Sequence, residues 1–238
     1  MAKRVTITLA TAVQRLDEMV VLIEQDVRVG LSVEAALESA NEIVSARISD
    51  YATYYGANCY NTVKDCMALY LALTLARLFD PGARRFRPNK RDVASIPLLV
   101  RLLKQKRCRS ALAKRARGWN PQLPSLADSN AAACEREIDS AILTYEKLRR
   151  THKGRRAALT LKEFRDKKLA HSLMGAVLKA LPQYQQLFLL MDVARDVTNH
   201  AKLAILGNNL DLTDVEKQKM QEAEFFWERA LAAAIGTK

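Results

Sequence analysis

Apolar residues recur at spacings of three and four along most of the chain, and no segment alternates apolar and polar residues as a half-buried strand does. The pattern predicts a first helix over residues 9–29, which Gly30 ends, and a second helix that Ser32 caps. Gly56 marks the next break. The apolar stretch that follows it reaches Phe79 before an Asp-Pro-Gly turn stops it.

Proline, glycine and cap residues divide the rest of the chain into further helices. Ser95 is expected to cap the first of them. Two later starts carry a capping box, Thr160 with Glu163 and Thr213 with Glu216, in which the two side chains satisfy free backbone N–H groups. The helices predicted in this part cover residues 96–118 with a break near 107, 129–150, 160–181, 183–206 and 213 onward.

These stretches together predict an all-α bundle of about eight helices. Eight glycines and six prolines in 238 residues agree with long helices and few turns. With 49% hydrophobic residues the chain can bury one large core, so we expect a single domain over residues 1–238. Residues 1–55 are predicted to form a helical pair at the N-terminus, which either supports a dimer or forms an accessory element.

The net charge of +12 is unevenly distributed along the chain. Residues 84–117 contain thirteen lysines and arginines against one acid, and residues 147–168 contain ten against two. The rest of the chain is acidic, with a net charge of −8. Two basic segments on an acidic body favour a polyanionic partner, RNA or DNA, although a charge run by itself is often only a solvated surface.

Cysteine usage and the N-terminal sequence indicate a reducing cytoplasm. Cys59 and Cys66 lie seven residues apart on one helical face, and we expect them to be buried free thiols. The N-terminus lacks a long apolar core and a small-residue cleavage site, so no signal peptide is expected. The most apolar run, residues 67–75, is too short to span a bilayer. We therefore expect a soluble cytoplasmic protein without a membrane partner.

One helix start combines fixed positive charge with a group that titrates near neutral pH. Arg165 and His171 lie six residues apart there, and at the ~100° per residue of an α-helix Lys168 and Ser172 fall on the same stripe. Arg165 and His171 are still separated by about 9 Å along the axis and about 120° around it. The motif is therefore predicted to be a half-site that a two-fold homodimer completes.

The residue types of this motif suit phosphate chemistry. A histidine that titrates near neutral pH can accept a proton from a ribose 2′-hydroxyl or donate one to a leaving oxygen. Arginine offers a permanently charged fork that matches a phosphate and its developing negative charge. No metal or other cofactor is required, and His152 and His200 have no ligand spacing around them. A solvated charged helix face remains the other interpretation of the same stripe.

The stretch Phe164-Arg-Asp-Lys-Lys-Leu-Ala-His171 resembles the Arg-x(4–6)-His signature of the HEPN superfamily, in which a polar residue typically follows the arginine. The longer string over residues 161–172 most resembles the branch related to the AbiU phage abortive-infection proteins. The resemblance is close over this string and looser over residues 60–181. Leu173 stands where related toxins often carry a tyrosine, so control by tyrosine modification is not expected.

The resemblance implies a HEPN-like helical fold, usually a homodimer and often a metal-independent RNA endonuclease that leaves a 2′,3′-cyclic phosphate. Carried onto this chain, His171 is the general acid and base, Arg165 stabilises the phosphate, and Asp166 orients one of the two. An antitoxin or another regulatory protein is a possible partner of such proteins. Residues expected to bind nucleic acid are Lys167, Lys168, Ser172, Arg155, Arg156, Arg84, Arg85 and Arg87.

We therefore expect a ribonuclease of toxin or phage-defence type. Two alternatives stay open from the sequence. The first is a non-catalytic HEPN-like module that binds nucleic acid or a partner protein. The second is a helical structural or interaction protein whose basic face is incidental.

Overall fold

The fold was analysed in a computed structural model, which describes residues 7–46, 56–82, 93–169, 182–208 and 211–232. Within these residues the chain forms eight α-helices, one 3₁₀ turn (Pro124–Leu126) and one π turn (Arg165–Leu169), and no strand. The predicted all-α bundle of about eight helices is confirmed. The helices are α1 (Leu9–Ala46), α2 (Ala57–Leu78), α3 (Ile96–Leu103), α4 (Lys106–Ala116), α5 (Ala127–Arg150), α6 (His152–Phe164), α7 (Tyr184–Leu206) and α8 (Leu212–Ala232).

The N-terminal part of the chain forms one helix, α1, and the predicted helical pair is wrong. Gly30 is buried where α1 crosses α7, and a Cβ there would lie 2.6 Å from Sδ of Met191. The glycine therefore allows a close helix crossing instead of ending a helix. Ser32 does not cap a second helix, because its Oγ donates to the carbonyl oxygen of Arg28 within α1 at 3.0 Å.

Helix α1 is central to the bundle and packs against α2, α3, α4, α7 and α8. Its buried side chains recur every three or four residues along its length, as a helix that buries one long face requires. Helix α5 packs on α4 and α7, and α6 packs against α2, α5 and α7. Fully buried leucines and isoleucines of the core include Leu16, Ile23, Leu71, Leu99 and Ile138.

The last helix, α8, lies along α1 and closes a smaller apolar cluster. Tyr60 and Trp227 meet there edge to face, with ring centroids 6.0 Å apart. The predicted capping box at Thr213 is wrong: the helix starts one residue earlier, and Oδ1 of Asp211 accepts the Thr213 N–H at 2.8 Å. Glu216 forms an ion pair with Arg195 instead of capping the helix.

The second helix, α2, has a buried and an outward face. Cys59 and Cys66 lie on the outward face, so the prediction that they are buried is wrong, although all four cysteines are free thiols. Val63, Tyr70 and Leu73 are exposed on the same face. Among the described residues, no helix is long and apolar enough to cross a membrane.

Candidate functional site

The start of α6 is fixed by the tight turn that follows α5. Thr151 caps the helix, because its Oγ1 accepts the backbone N–H of Gly154 at 3.2 Å. A glycine is needed at that position, since a Cβ would lie 2.2 Å from the carbonyl oxygen of Leu148. The helix therefore begins at His152 and Thr160 lies inside it. The capping box predicted at Thr160 is therefore wrong, and so is the predicted helix start at residue 160.

The motif segment leaves α6 as a π turn, Arg165–Leu169. Such turns have hydrogen bonds that span five residues and frequently occur at functional sites. The backbone of such a turn is wider than that of an α-helix. The stripe predicted through Arg165 and Lys168 assumed α-helical geometry, which the backbone of this turn does not have.

The guanidinium of Arg165 is held between two aspartates. Its Nε and Nη2 lie 2.8 and 2.7 Å from Oδ1 of Asp166. Its Nη1 lies 3.2 Å from Oδ1 of Asp80, a residue that lies just after the end of α2. Asp80 is itself fixed, because its Oδ1 also accepts the backbone N–H of Gly82 at 2.8 Å. A guanidinium has five N–H donors, so these three contacts leave two for a further acceptor.

The charges of this cluster reinforce each other. Burial alone would lower the pKa of Arg165, but the hydrogen bonds and charges of Asp166 and Asp80 outweigh burial and raise the pKa above its ordinary value. Burial would raise the pKa of Asp166, but Arg165 and Lys162 outweigh it and hold the pKa below its ordinary value. Lys162 Nζ lies 3.5 Å from Oδ2 of Asp166. With two basic and two acidic side chains, the cluster by itself attracts anions only weakly.

Three other predicted site residues, Lys167, Arg155 and Arg156, lie outside the cluster of Arg165 with its aspartates. Lys167 Nζ lies 2.6 Å from Oε1 of Glu163, one turn earlier on α6. Arg155 and Arg156 are exposed on the first half of α6. Their predicted role in nucleic-acid binding stays a prediction.

The remaining predicted residues fall outside the described part of the chain. The backbone of Lys168 belongs to the π turn, but its side chain lies outside the described residues. The other residues that lie outside them are His171, Ser172, Arg84, Arg85 and Arg87. Their roles stay predictions.

Arg165 lines a pocket of about 510 Å³ between the end of α2, α3, the last turns of α5 and the second half of α6. We call it the α3–α6 pocket. Most of its wall is apolar, and the charged side chains include five bases and one acid. The apolar lining residues are Ala76, Phe79, Pro81, Pro97, Val100, Tyr145, Leu148, Ala158, Leu159 and Leu161. The charged lining residues are Arg101, Lys104, Glu146, Arg149, Lys162 and Arg165.

The pocket joins the two basic segments that the charge distribution reveals. Arg101 and Lys104 come from the segment over residues 84–117, and Arg149 comes from the segment over 147–168. The predicted site omits these three residues. Their membership of the basic segments is the sequence signal that could have found them, but only the packing of α3 against α5 brings them together.

The bases of the pocket differ in how far the protein neutralises them. Glu146 pairs with Lys104 and lies 3.8 Å from Nη1 of Arg149. The hydrogen bond from Lys104 holds the pKa of Glu146 below its ordinary value. Arg101 has no ion-pair partner in the described part of the chain. Burial raises the pKa of Tyr145, so its phenol stays neutral near pH 7.

The described residues contain no group of three His, Cys, Asp or Glu side chains that could hold a metal ion. His200 lies on α7, where its Nδ1 is 2.7 Å from Oε2 of Glu137 on α5. This contact joins two packed helices.

Comparison with known families tests the resemblance. A family model described as AbiU2, of the HEPN type, matches residues 16–226. The chain belongs to the HEPN AbiU2 family. The matched span begins within α1 and ends within α8, so the AbiU2 assignment includes all or part of every helix and the positions of Arg165 and His171. No curated protein and no solved structure matches this AbiU2-family chain. Membership of a HEPN family suggests a nuclease or abortive-infection role.

Proposed function

We propose that the protein is a metal-independent RNA endonuclease of toxin or phage-defence type. The observation that supports this most directly is the state of Arg165. Two aspartates fix its guanidinium, 26% of the side chain is exposed, and it lines a basic pocket. In the motif of a HEPN-family chain, such a group is preorganised to stabilise a phosphate.

In the proposed reaction, His171 accepts the proton of a ribose 2′-hydroxyl, and the 2′-oxygen attacks the adjacent phosphorus. The bond from phosphorus to the 5′-oxygen breaks, and that oxygen takes a proton from a second acid. The products are a 2′,3′-cyclic phosphate and a 5′-hydroxyl. The two N–H donors of Arg165 that no described residue binds stabilise the negative charge that develops on the phosphoryl oxygens.

We propose that the second acid is His171 of a second copy, in a homodimer. The outward face of α2 is the surface that supports this proposal. Its exposed Cys59, Val63, Cys66, Tyr70 and Leu73 follow a spacing of three and four residues, which is the seam of a helix pair. The same helix leads into Asp80, which contacts Arg165, so parallel pairing of two α2 helices along a two-fold axis would bring the two motifs near each other.

The dimer is tested by measuring the mass of the protein in solution. Tyr70→Glu on α2 is expected to convert a dimer to a monomer, because it places a charge in the seam. Leu22→Glu, at an exposed leucine of α1, is the matched control and should leave the mass unchanged. A dimer that persists in the Tyr70 variant contradicts the proposed surface.

The cleavage activity is tested with labelled single-stranded RNA in EDTA. The wild-type protein is expected to cut it and leave 2′,3′-cyclic phosphate ends, whereas 2′-O-methyl RNA of the same sequence should remain intact. Arg165→Ala and His171→Ala should lose cleavage, while Arg136→Ala and His152→Ala, at exposed positions outside the motif, should keep it. Cleavage that persists in both motif variants would falsify the proposal.

The charge balance around Arg165 favours the non-catalytic binding module as second candidate. Asp80 and Asp166 already satisfy most of its donors, as in a structural ion pair. That candidate predicts RNA binding that weakens steeply with salt and no cleavage under any of these conditions. The same experiment therefore separates the two functions.

A further inference from the structure

We propose that the α3–α6 pocket binds one nucleotide of the RNA strand, with the base against its apolar floor and the phosphate at its basic rim. This inference rests on the proposed ribonuclease function and adds a binding site for the substrate beside Arg165. The volume of about 510 Å³ lies within the range of small-molecule sites, which is about 300–1,000 Å³.

The floor of the pocket suits a flat, apolar group. Buried Val100, Leu148 and Leu161 form part of it, and the half-buried rings of Phe79 and Tyr145 line it as well. Aromatic side chains at a nucleic-acid site bind bases by stacking, which tolerates any base. The floor therefore fits a nucleobase and does not select one sequence strictly.

The rim of the pocket suits an anion. Outside the cluster of Arg165 and Lys162, three bases against one acid give the rim a net charge of +2. Arg101 contributes most clearly, because it is exposed and has no ion-pair partner among the described residues. A side chain that no protein carboxylate neutralises is free to bind a phosphate bidentately.

The pocket also explains how Arg165, whose charge two aspartates neutralise, would meet its substrate. The cluster of Arg165 and Lys162 with two aspartates attracts anions weakly, whereas the rest of the rim has a net charge of +2 and attracts them more strongly. A nucleotide anchored in the pocket would bring the next phosphate of the strand to Arg165. Binding and chemistry are thus assigned to adjacent groups of side chains.

The proposal is tested by binding to the His171→Ala variant of the full chain, in which cleavage does not consume the probe. Adenosine 5′-monophosphate is expected to bind more tightly than adenosine or ribose 5-phosphate, because only the nucleotide fills both floor and rim. A ten-nucleotide single-stranded RNA should displace it. Binding of the mononucleotide that the RNA does not displace would overturn the assignment to the RNA strand.

Two matched pairs of variants locate the binding site. Arg101→Glu should weaken RNA binding at least tenfold, whereas Arg136→Glu, an equal charge change on an exposed part of α5, should change it less than threefold. Leu159→Glu should weaken binding about tenfold, and Leu143→Glu should not. These two leucines are equally exposed, at 66% and 65%, but only Leu159 lines the pocket.

The outcomes separate this inference from the proposed function. Cleavage with an unchanged KM in Arg101→Glu and Leu159→Glu would overturn the pocket while the ribonuclease stands. Pocket-dependent binding of RNA by a wild-type protein that never cleaves would overturn the ribonuclease and leave the nucleotide site in place. Equal loss of binding in each variant and its control would show general electrostatic attraction and overturn the pocket.

Discussion

Two arginines of this protein are each surrounded by carboxylates, yet their settings differ. Arg165 contacts Asp80 and Asp166 at the rim of an open, basic pocket. Arg195 on α7 contacts Asp192, Asp196 and Glu216, and its side chain is only 16% exposed. Asp192 and Asp196 lie on α7 itself, whereas Glu216 lies on α8, so Arg195 links two packed helices. The same residue type is thus a candidate functional group in one place and a structural link in the other.

The surroundings of Arg195 contain more acid than one guanidinium can neutralise. Glu34 on α1 is buried nearby, and burial together with the charges of Asp192, Glu216 and Glu38 raises its pKa to about 9. Burial also raises the pKa of Asp192. Glu34 therefore holds a proton at neutral pH, whereas the region of Arg165 holds ionised groups.

The two regions should respond to pH in opposite directions. The lowered pKa of Asp166 gives stability that is present above its ordinary value of 3.8 and is lost as the pH falls. The raised pKa of Glu34 means that the folded protein keeps a proton that the unfolded chain releases above about 4.5. Its contribution to stability therefore declines as the pH rises from 4.5 toward 9. The presence of an arginine–carboxylate pair alone therefore does not show whether a region is a candidate functional site or a structural link.

The largest expected effect is a loss of cleavage activity in the Arg165→Lys variant. An ammonium cannot keep both aspartate contacts and still offer two donors to a phosphate, so kcat should fall about 100- to 1,000-fold. The melting temperature should change little, because the contacts are partly exposed. Single-turnover cleavage and thermal unfolding measure the two effects. A large loss of stability with normal cleavage by the remaining folded protein would make Arg165 a structural link like Arg195.

The second largest effect is a loss of stability in the Arg195→Met variant. It leaves the carboxylates of Asp192, Asp196 and Glu216 without their shared cation, so the free energy of unfolding should fall by roughly 3 kcal/mol at pH 7. Urea unfolding measures it. The matched control is Arg117→Met, which removes a largely exposed pair with Asp128 and should cost less than about 0.5 kcal/mol. Equal losses in both variants would contradict the difference in setting.

A smaller effect of opposite sign is expected for Glu34→Gln. The amide keeps the shape of the protonated acid and cannot ionise, so the variant should be more stable than wild type by roughly 2 kcal/mol at pH 7. The gain should grow toward pH 9 and vanish near pH 4.5. Urea unfolding across this range measures it, with Glu18→Gln on the exposed side of α1 as control. A gain that does not vary with pH contradicts the raised pKa.

The smallest effect is expected for Asp80→Asn. The amide oxygen still accepts the Gly82 N–H but no longer attracts Arg165 by charge, so cleavage should slow about tenfold through loss of orientation. Asp26→Asn is the matched control, because Asp26 is also 33% exposed and binds an arginine, Arg77, at 3.0 Å. Equal rates in the two variants would show that Asp80 does not position Arg165.

Helix content and most helix ends could be predicted from the sequence because they depend on local signals. The ends of α2 and α7, at the Asp-Pro-Gly turn and at Gly207, agree with the prediction within a residue. The errors lie where tertiary contacts outweigh those signals. Gly30 serves a helix crossing, and Glu216 binds Arg195 instead of capping α8.

The same division applies to the candidate site. The sequence by itself determined the all-α class, the family-type motif around Arg165 and the two basic segments, since each is a property of consecutive residues. Tertiary structure decided that Arg165 contacts Asp80, eighty-five positions earlier in the chain, and that the basic segments converge on one pocket. Helix packing sets such long-range contacts, because buried apolar faces pack where their shapes are complementary. No local spacing in the sequence encodes that complementarity.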